Sequence, residues 1–132
     1  MKTIFSLAFV LLLAGCGTIT NPYDNNEFEL WVRMLYNSQE LEKQCETAPK
    51  LEIYQRLSDI YKDARITQLY AEYTPLNEEV EIVAAIVAND VEEMRDFYRT
   101  NEHNVTYCSR KTALLTKKIE AIIEQIPERL RI

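Results

Sequence analysis

Histidine and glycine are nearly absent, one of the first and two of the second in 132 residues. Two glycines supply no phosphate-cradling loop, and with only four prolines the chain has few interruptions, so long regular elements are expected. His103 falls in the polar turn Asn101-Glu102-His103-Asn104, where it reads as a solvated loop side chain. A hydrolase needs a nucleophile, a base and an orienter, and His103 is the only histidine in the chain. Zinc is left without a ligand cluster. Positive charge is also short: 15 Lys and Arg face 21 Asp and Glu, a net charge of −6. Counterion release needs a basic face, so nucleic acid is not an expected partner. The carboxylate pairs Glu78/Glu81 and Glu92/Asp96 share helical faces, but acidic outer faces are ordinarily solvated, and no paired-acid glycosidase is expected. Repeats and low-complexity segments are missing as well. The expectation is a chain with no catalytic residue, no cofactor and no metal, that is, not an enzyme.

What is present begins at the amino terminus. Behind Met1 and Lys2, an apolar run opens at Thr3 and closes on Leu13-Ala14-Gly15-Cys16. A charged start, a short apolar stretch and a small-residue exit make a secretory signal, too short for a spanning helix. With a cysteine after Ala-Gly, the stretch resembles the lipobox of bacterial lipoproteins. That resemblance implies that the Cys16 thiol receives a diacylglyceryl group, that residues 1–15 are removed, and that the new amino terminus is acylated, as with palmitate. Each buried methylene contributes roughly 0.8 kcal/mol, so three chains hold a protein on a bilayer permanently. The resemblance also implies sorting: Gly17, not aspartate, follows the cysteine, which favours the outer membrane with the domain facing the periplasm. Residues 16–26 read as a lipidated tether, rich in Thr, Asn, Pro and Asp, and residues 27–132 as one folded domain.

Charge is uneven along that mature chain. Residues 16–103 hold 8 basic and 18 acidic side chains, residues 104–132 hold 6 and 3. A basic last helix docked on acidic neighbours explains this without a dedicated binding patch. With Cys16 lipidated, Cys45 and Cys108 remain as an even pair in an oxidising compartment and are expected to be joined.

Hydrophobic spacing predicts four helices. Phe28, Trp31, Met34, Leu35, Ser38, Leu41 and Cys45 form one stripe, ended near Thr47 by Pro49, which suits the first turn of the next helix. The second stripe is Ile53, Leu57, Ile60 and Ala64, with Tyr54 and Tyr61 beside it. After Ala64 the phase slips to Ile66, Leu69, Tyr70 and Tyr73, which predicts a bend or short break at 65–67. Thr74 or Asn77 is the expected N-cap of the third helix, whose stripe is Val80, Val83, Ala84, Val87, Val91, Met94 and Tyr98. The fourth keeps heptad spacing through Val105, Cys108, Thr112, Leu115, Ile119, Ile122 and Ile126, and Pro127 closes it.

The fold expected is all-α, an up-down-up-down four-helix bundle with one disulfide. In that topology Cys45, ending the first helix, and Cys108, opening the fourth, meet at the same pole. Tyrosine tolerates half-exposure and is enriched at interfaces, so Tyr54, Tyr61, Tyr70 and Tyr73 are candidate partner-binding residues, with core filling as the competing reading. A bent second helix would open a seam beside the third. The architecture, with Gln44-Cys45 ending one helix and Cys108-Ser109 opening another, resembles the pilotins of type II secretion systems. That resemblance implies an interhelical groove receiving a short amphipathic segment from the tail of a secretin subunit. The functional expectation is a non-enzymatic outer-membrane lipoprotein that binds a helical or peptide segment of an envelope protein. The alternative is a phage- or plasmid-encoded exclusion or immunity lipoprotein that blocks a surface receptor or entry machinery.

Overall fold

The structure is a computed structural model that describes residues 25–74 and 78–129. Cys16, the residues before it and Asn77 lie outside the described residues. Both glycines precede residue 25, so the described part contains none. It is built of four helices: α1 (Asn25–Thr47), α2 (Lys50–Glu72), α3 (Glu78–Thr100) and α4 (Val105–Arg129). Each packs on its sequence neighbour, α4 returns to α1, and the diagonal pairs do not approach. This is the up-down-up-down ring. α2 and α3 are the most closely packed pair, α3 and α4 the loosest.

The core follows the stripes. Trp31, Met34, Leu41 and Cys45 of α1 meet Ile53, Leu57, Ile60 and Ala64 of α2, and Ala84, Val87, Val91, Met94 and Tyr98 of α3. Cys108, Leu115, Ile119 and Ile126 complete it from α4. Burying one such side chain is worth about 1.5–3 kcal/mol, and the 3.6-residue period places all of them inward together.

Connections are short and capped by what the sequence offers. α1 runs into Ala48, whose N–H donates to the Gln44 carbonyl at 2.8 Å. Pro49 takes the N-cap position of α2, one place earlier than the first-turn site expected, in an extended conformation that turns the chain (φ −71°, ψ 159°). Asn104 caps α4, its Oδ1 accepting from the Tyr107 N–H at 2.9 Å. Thr74 does not cap α3: its hydroxyl donates back to the Tyr70 carbonyl at 2.7 Å and so belongs to the end of α2. α4 extends two residues past Pro127, because a missing amide hydrogen costs one bond in a last turn that is weakly bonded anyway.

The disulfide joins Cys45 to Cys108 with Cα atoms 5.6 Å apart and a sequence separation of 63. Closing a loop of that size stabilises by about 4 kcal/mol in the chain-entropy account. Polar bonds set the register of the other contacts. Arg33 on α1 grips Asp63 on α2 through two bonds, Nε–Oδ2 at 3.0 Å and Nη2–Oδ1 at 2.6 Å. Arg56 donates to Asn37 and Gln44, at 2.9 and 3.2 Å. Between α1 and α4, Thr116 donates to Ser38 at 3.1 Å, two small buried hydroxyls that let the helices approach closely.

The slip in α2 is not a break. The helix runs unbroken from Lys50 to Glu72. Its buried stripe continues through Asp63, Thr67 and Ala71, and the residues expected to take over the core, Ile66, Leu69, Tyr70 and Tyr73, face outward. Small and polar residues can hold the stripe because their polar atoms are satisfied: Thr67 donates to the Asp63 carbonyl at 2.8 Å, and Asp63 is held by Arg33. Val105, counted with the α4 stripe, is exposed as the first helical residue.

Candidate functional site

The four candidate tyrosines do not converge. Tyr54 and Tyr73 are 19 positions apart on one helix, roughly 28 Å at 1.5 Å per residue. Tyr54 and Tyr61 are half-buried against α3. Arg95 lies over both rings, its guanidinium carbon 5.4 Å from the Tyr54 centroid and 4.6 Å from that of Tyr61. Arg99 lies 5.9 Å from the Tyr54 centroid and donates from Nε to the Tyr54 hydroxyl at 3.2 Å. Both arginines are anchored on their own helix, Arg95 to Glu92 at 2.7 Å and Arg99 to Glu92 at 3.1 Å and to Asp96. The ladder closes the α2–α3 seam that a bent α2 would have opened. Cation–π contacts of this kind contribute about 0.5–1 kcal/mol each at exposed sites.

Tyr70 and Tyr73 belong to a different surface. On the outer face of α2, Ile66 is 38 % exposed, Leu69 45 %, Tyr70 36 % and Tyr73 83 %. Their positions are i, i+3, i+4 and i+7, the spacing by which one helix offers a stripe to another. Lys62 and Arg65 flank this stripe as exposed or half-exposed cations. Helix α2 is thus apolar on two faces: one is consumed by the bundle, and the other is not covered by any described residue to that extent. It spans about 10 Å of helix.

A second feature lies at the stapled pole, where α1 and α3 end and α2 and α4 begin. His103 is half-buried there and not a free loop side chain. Its Nε2 is 2.7 Å from the Cys45 carbonyl and its Nδ1 3.0 Å from the Tyr98 hydroxyl. A carbonyl only accepts, so Nε2 carries the hydrogen and Nδ1 accepts from Tyr98 in the neutral ring. Phe97 stacks on Tyr107 at 3.8 Å, and Tyr98 meets Phe97 edge-on at 5.4 Å. Burial pushes the Tyr98 phenol up to about 12 and raises that of Tyr107. Tyr54 moves the other way, lowered by the bond from Arg99. Beside this cluster, Lys50, Leu51, Tyr54, Tyr98 and Arg99 line an open cavity of about 410 Å³.

The loose α3–α4 seam holds a narrow crevice of about 60 Å³ lined by Asp90, Glu93, Met94, Lys111, Leu114, Leu115 and Lys118. Lys118 pairs with Asp90 across it, which is how the basic last helix meets the acidic third. Among the described residues, no group of three or more His, Cys, Asp or Glu is placed to hold a metal ion, and no helix is long and apolar enough to cross a membrane.

Sequence reasoning placed Ile66 and Leu69 in the core; the two-faced character of α2 was visible only as a phase slip. Lys50, Leu51 and Arg99 carried no signal, since only the folding of the α2 start against the α3 end brings them together. Comparison with family models, curated proteins and solved structures finds no match to this chain.

Proposed function

We propose that this protein is a lipid-anchored binding module of the bacterial outer membrane, whose α2 outer stripe receives an amphipathic helix or peptide of an envelope partner. The observation that carries the reading is the run Ile66, Leu69, Tyr70 and Tyr73, four exposed apolar side chains at helix-pairing spacing, where the other helices expose at most pairs such as Val32 with Tyr36 and Ile82 with Ile86. A helix laid along it would contribute its own i, i+3, i+4, i+7 anchors, apolar face against apolar face. Leu13-Ala14-Gly15-Cys16 supports the anchor, through its likeness to a lipobox. The most concrete version is a secretin pilotin, in which the lipid carries the bound subunit to the outer membrane.

The test is a pull-down from detergent-solubilised envelopes with the wild-type chain and with Leu69→Asp. Residue 69 is exposed, so the variant folds with its melting temperature little changed, while the charge in the stripe removes the partner. Recovery of a secretin by the wild type and not by the variant supports the pilotin version. Recovery of an intact porin or receptor replaces it with the exclusion reading, and equal recovery by both proteins overturns the assignment to α2.

A further inference from the structure

The cavity at the stapled pole is not used by the α2 stripe, and its lining specifies a ligand of its own. A volume of about 410 Å³ falls within the roughly 300–1,000 Å³ of small-molecule sites, which combine apolar walls with a few convergent polar groups. The wall here is Leu51, which is 65 % exposed, with half-buried Tyr54, and Tyr98 lies almost wholly buried beneath them. The lining residues that carry polar groups to offer are Lys50, Arg99 and Tyr54. Among the described residues no carboxylate lines the cavity, in a chain with 21 acidic residues.

The hydrogen bonds show which of these groups is available. The Tyr54 hydroxyl accepts from Arg99 Nε at 3.2 Å and from Arg95 Nη2 at 3.4 Å, which leaves its own hydrogen to donate. Two guanidinium donors polarise that O–H and make it a stronger donor. Arg99 is fixed by Glu92 and Asp96, and those carboxylates offset much of its field. Lys50 is half-buried and makes no ion pair among the described residues. The Tyr98 hydroxyl is occupied by His103. The cavity therefore offers one unneutralised cation and one free donor beside an apolar wall.

We infer that this cavity binds a small monocarboxylate with an apolar stem, its carboxylate held by the Lys50 ammonium and the Tyr54 hydroxyl and its stem lying against Leu51 and the Tyr54 ring. The inference is independent of the α2 stripe and survives if that surface binds nothing. Hexanoate is the probe, and hexanamide, of the same shape without the charge, is the control. Titrating the purified full chain and following the backbone amides of residues 50, 51, 54, 98 and 99 by NMR should show saturable hexanoate binding and at least about tenfold weaker hexanamide binding. Lys50→Gln should weaken hexanoate about five- to tenfold and leave hexanamide unchanged, a result that mere loss of structure does not give. Equal binding of acid and amide, shifts confined to other residues, no saturation by about 20 mM (roughly −2 kcal/mol), or unchanged hexanoate binding in Lys50→Gln would each overturn it.

Discussion

His103 and Tyr98 show how much of this small domain depends on a few polar contacts at one pole. The imidazole ties the α3–α4 turn to the last turn of α1, through the Cys45 carbonyl 2.7 Å away and the Tyr98 hydroxyl 3.0 Å away. Its partners lie in α1 and α3, so its role was invisible from a polar stretch of sequence. Tyr98 yields a pH prediction. Burial raises its phenol from about 10 to about 12 in the folded chain. The folded state thus holds this proton more tightly than the unfolded state, and the stability gained is complete below pH 10. It is lost as pH rises from there through about 12, roughly 2 kcal/mol in all. Urea unfolding between pH 9 and 12 should show that decline, and Tyr98→Phe should flatten it while lowering stability at pH 7 by about 1 kcal/mol. An equal alkaline slope in the variant would mean that Tyr98 is not the group responsible.

At the level of the helix, α1, α3 and α4 were legible because the long apolar stripe of each keeps one phase from end to end, and the apolar residues outside it, such as Val32 with Tyr36 or Ile82 with Ile86, are only isolated exposed pairs. The period then fixes the buried side, and Trp31, Val87 or Ile119 has nowhere else to go. α2 was harder for a physical reason. Two apolar stripes on one cylinder, one ending near Ala71 and the other beginning at Ile66, give the same sequence pattern as a single stripe that changes phase. Packing decides between them, and here the small residues Ala64, Thr67 and Ala71 fit against α3 and α1 while Ile66 and Leu69 are left outside. The disulfide was legible because both cysteines sit on buried stripes at helix ends that an antiparallel ring brings together. Cys45→Ser should cost about 4 kcal/mol under oxidising conditions, read as a drop in melting temperature that disappears when wild type and variant are compared in reductant. An unchanged melting temperature would show that the bond contributes nothing to the folded state.

For the molecule as a whole, the ring of helices sets two poles with different contents. Residue 25, where α1 starts, lies at the pole that also carries the end of α2 and the start of α3, so the Ile66–Tyr73 stripe sits towards the pole where α1 begins. The disulfide, His103 and the Lys50 cavity occupy the far pole. Lipidation at Cys16 would place the stripe close to the membrane and the cavity away from it. Cys16→Ala should then release the protein from the membrane fraction into the soluble periplasm with its thermal stability unchanged, and undiminished membrane association would refute the anchor. The bundle and the disulfide could be read from the sequence; of the proposed partner surface only Tyr70 and Tyr73 were, because Ile66 and Leu69 join it only through what the core leaves uncovered.

The most direct test of the central claim places a photo-crosslinking residue at position 69 and, as a control, at the exposed Lys117 on α4, followed by irradiation of intact cells. The account predicts one dominant adduct from position 69, mapping to a helix-forming segment of an envelope protein, and none of that adduct from position 117. No adduct from position 69, or the same adduct from both positions, would contradict it.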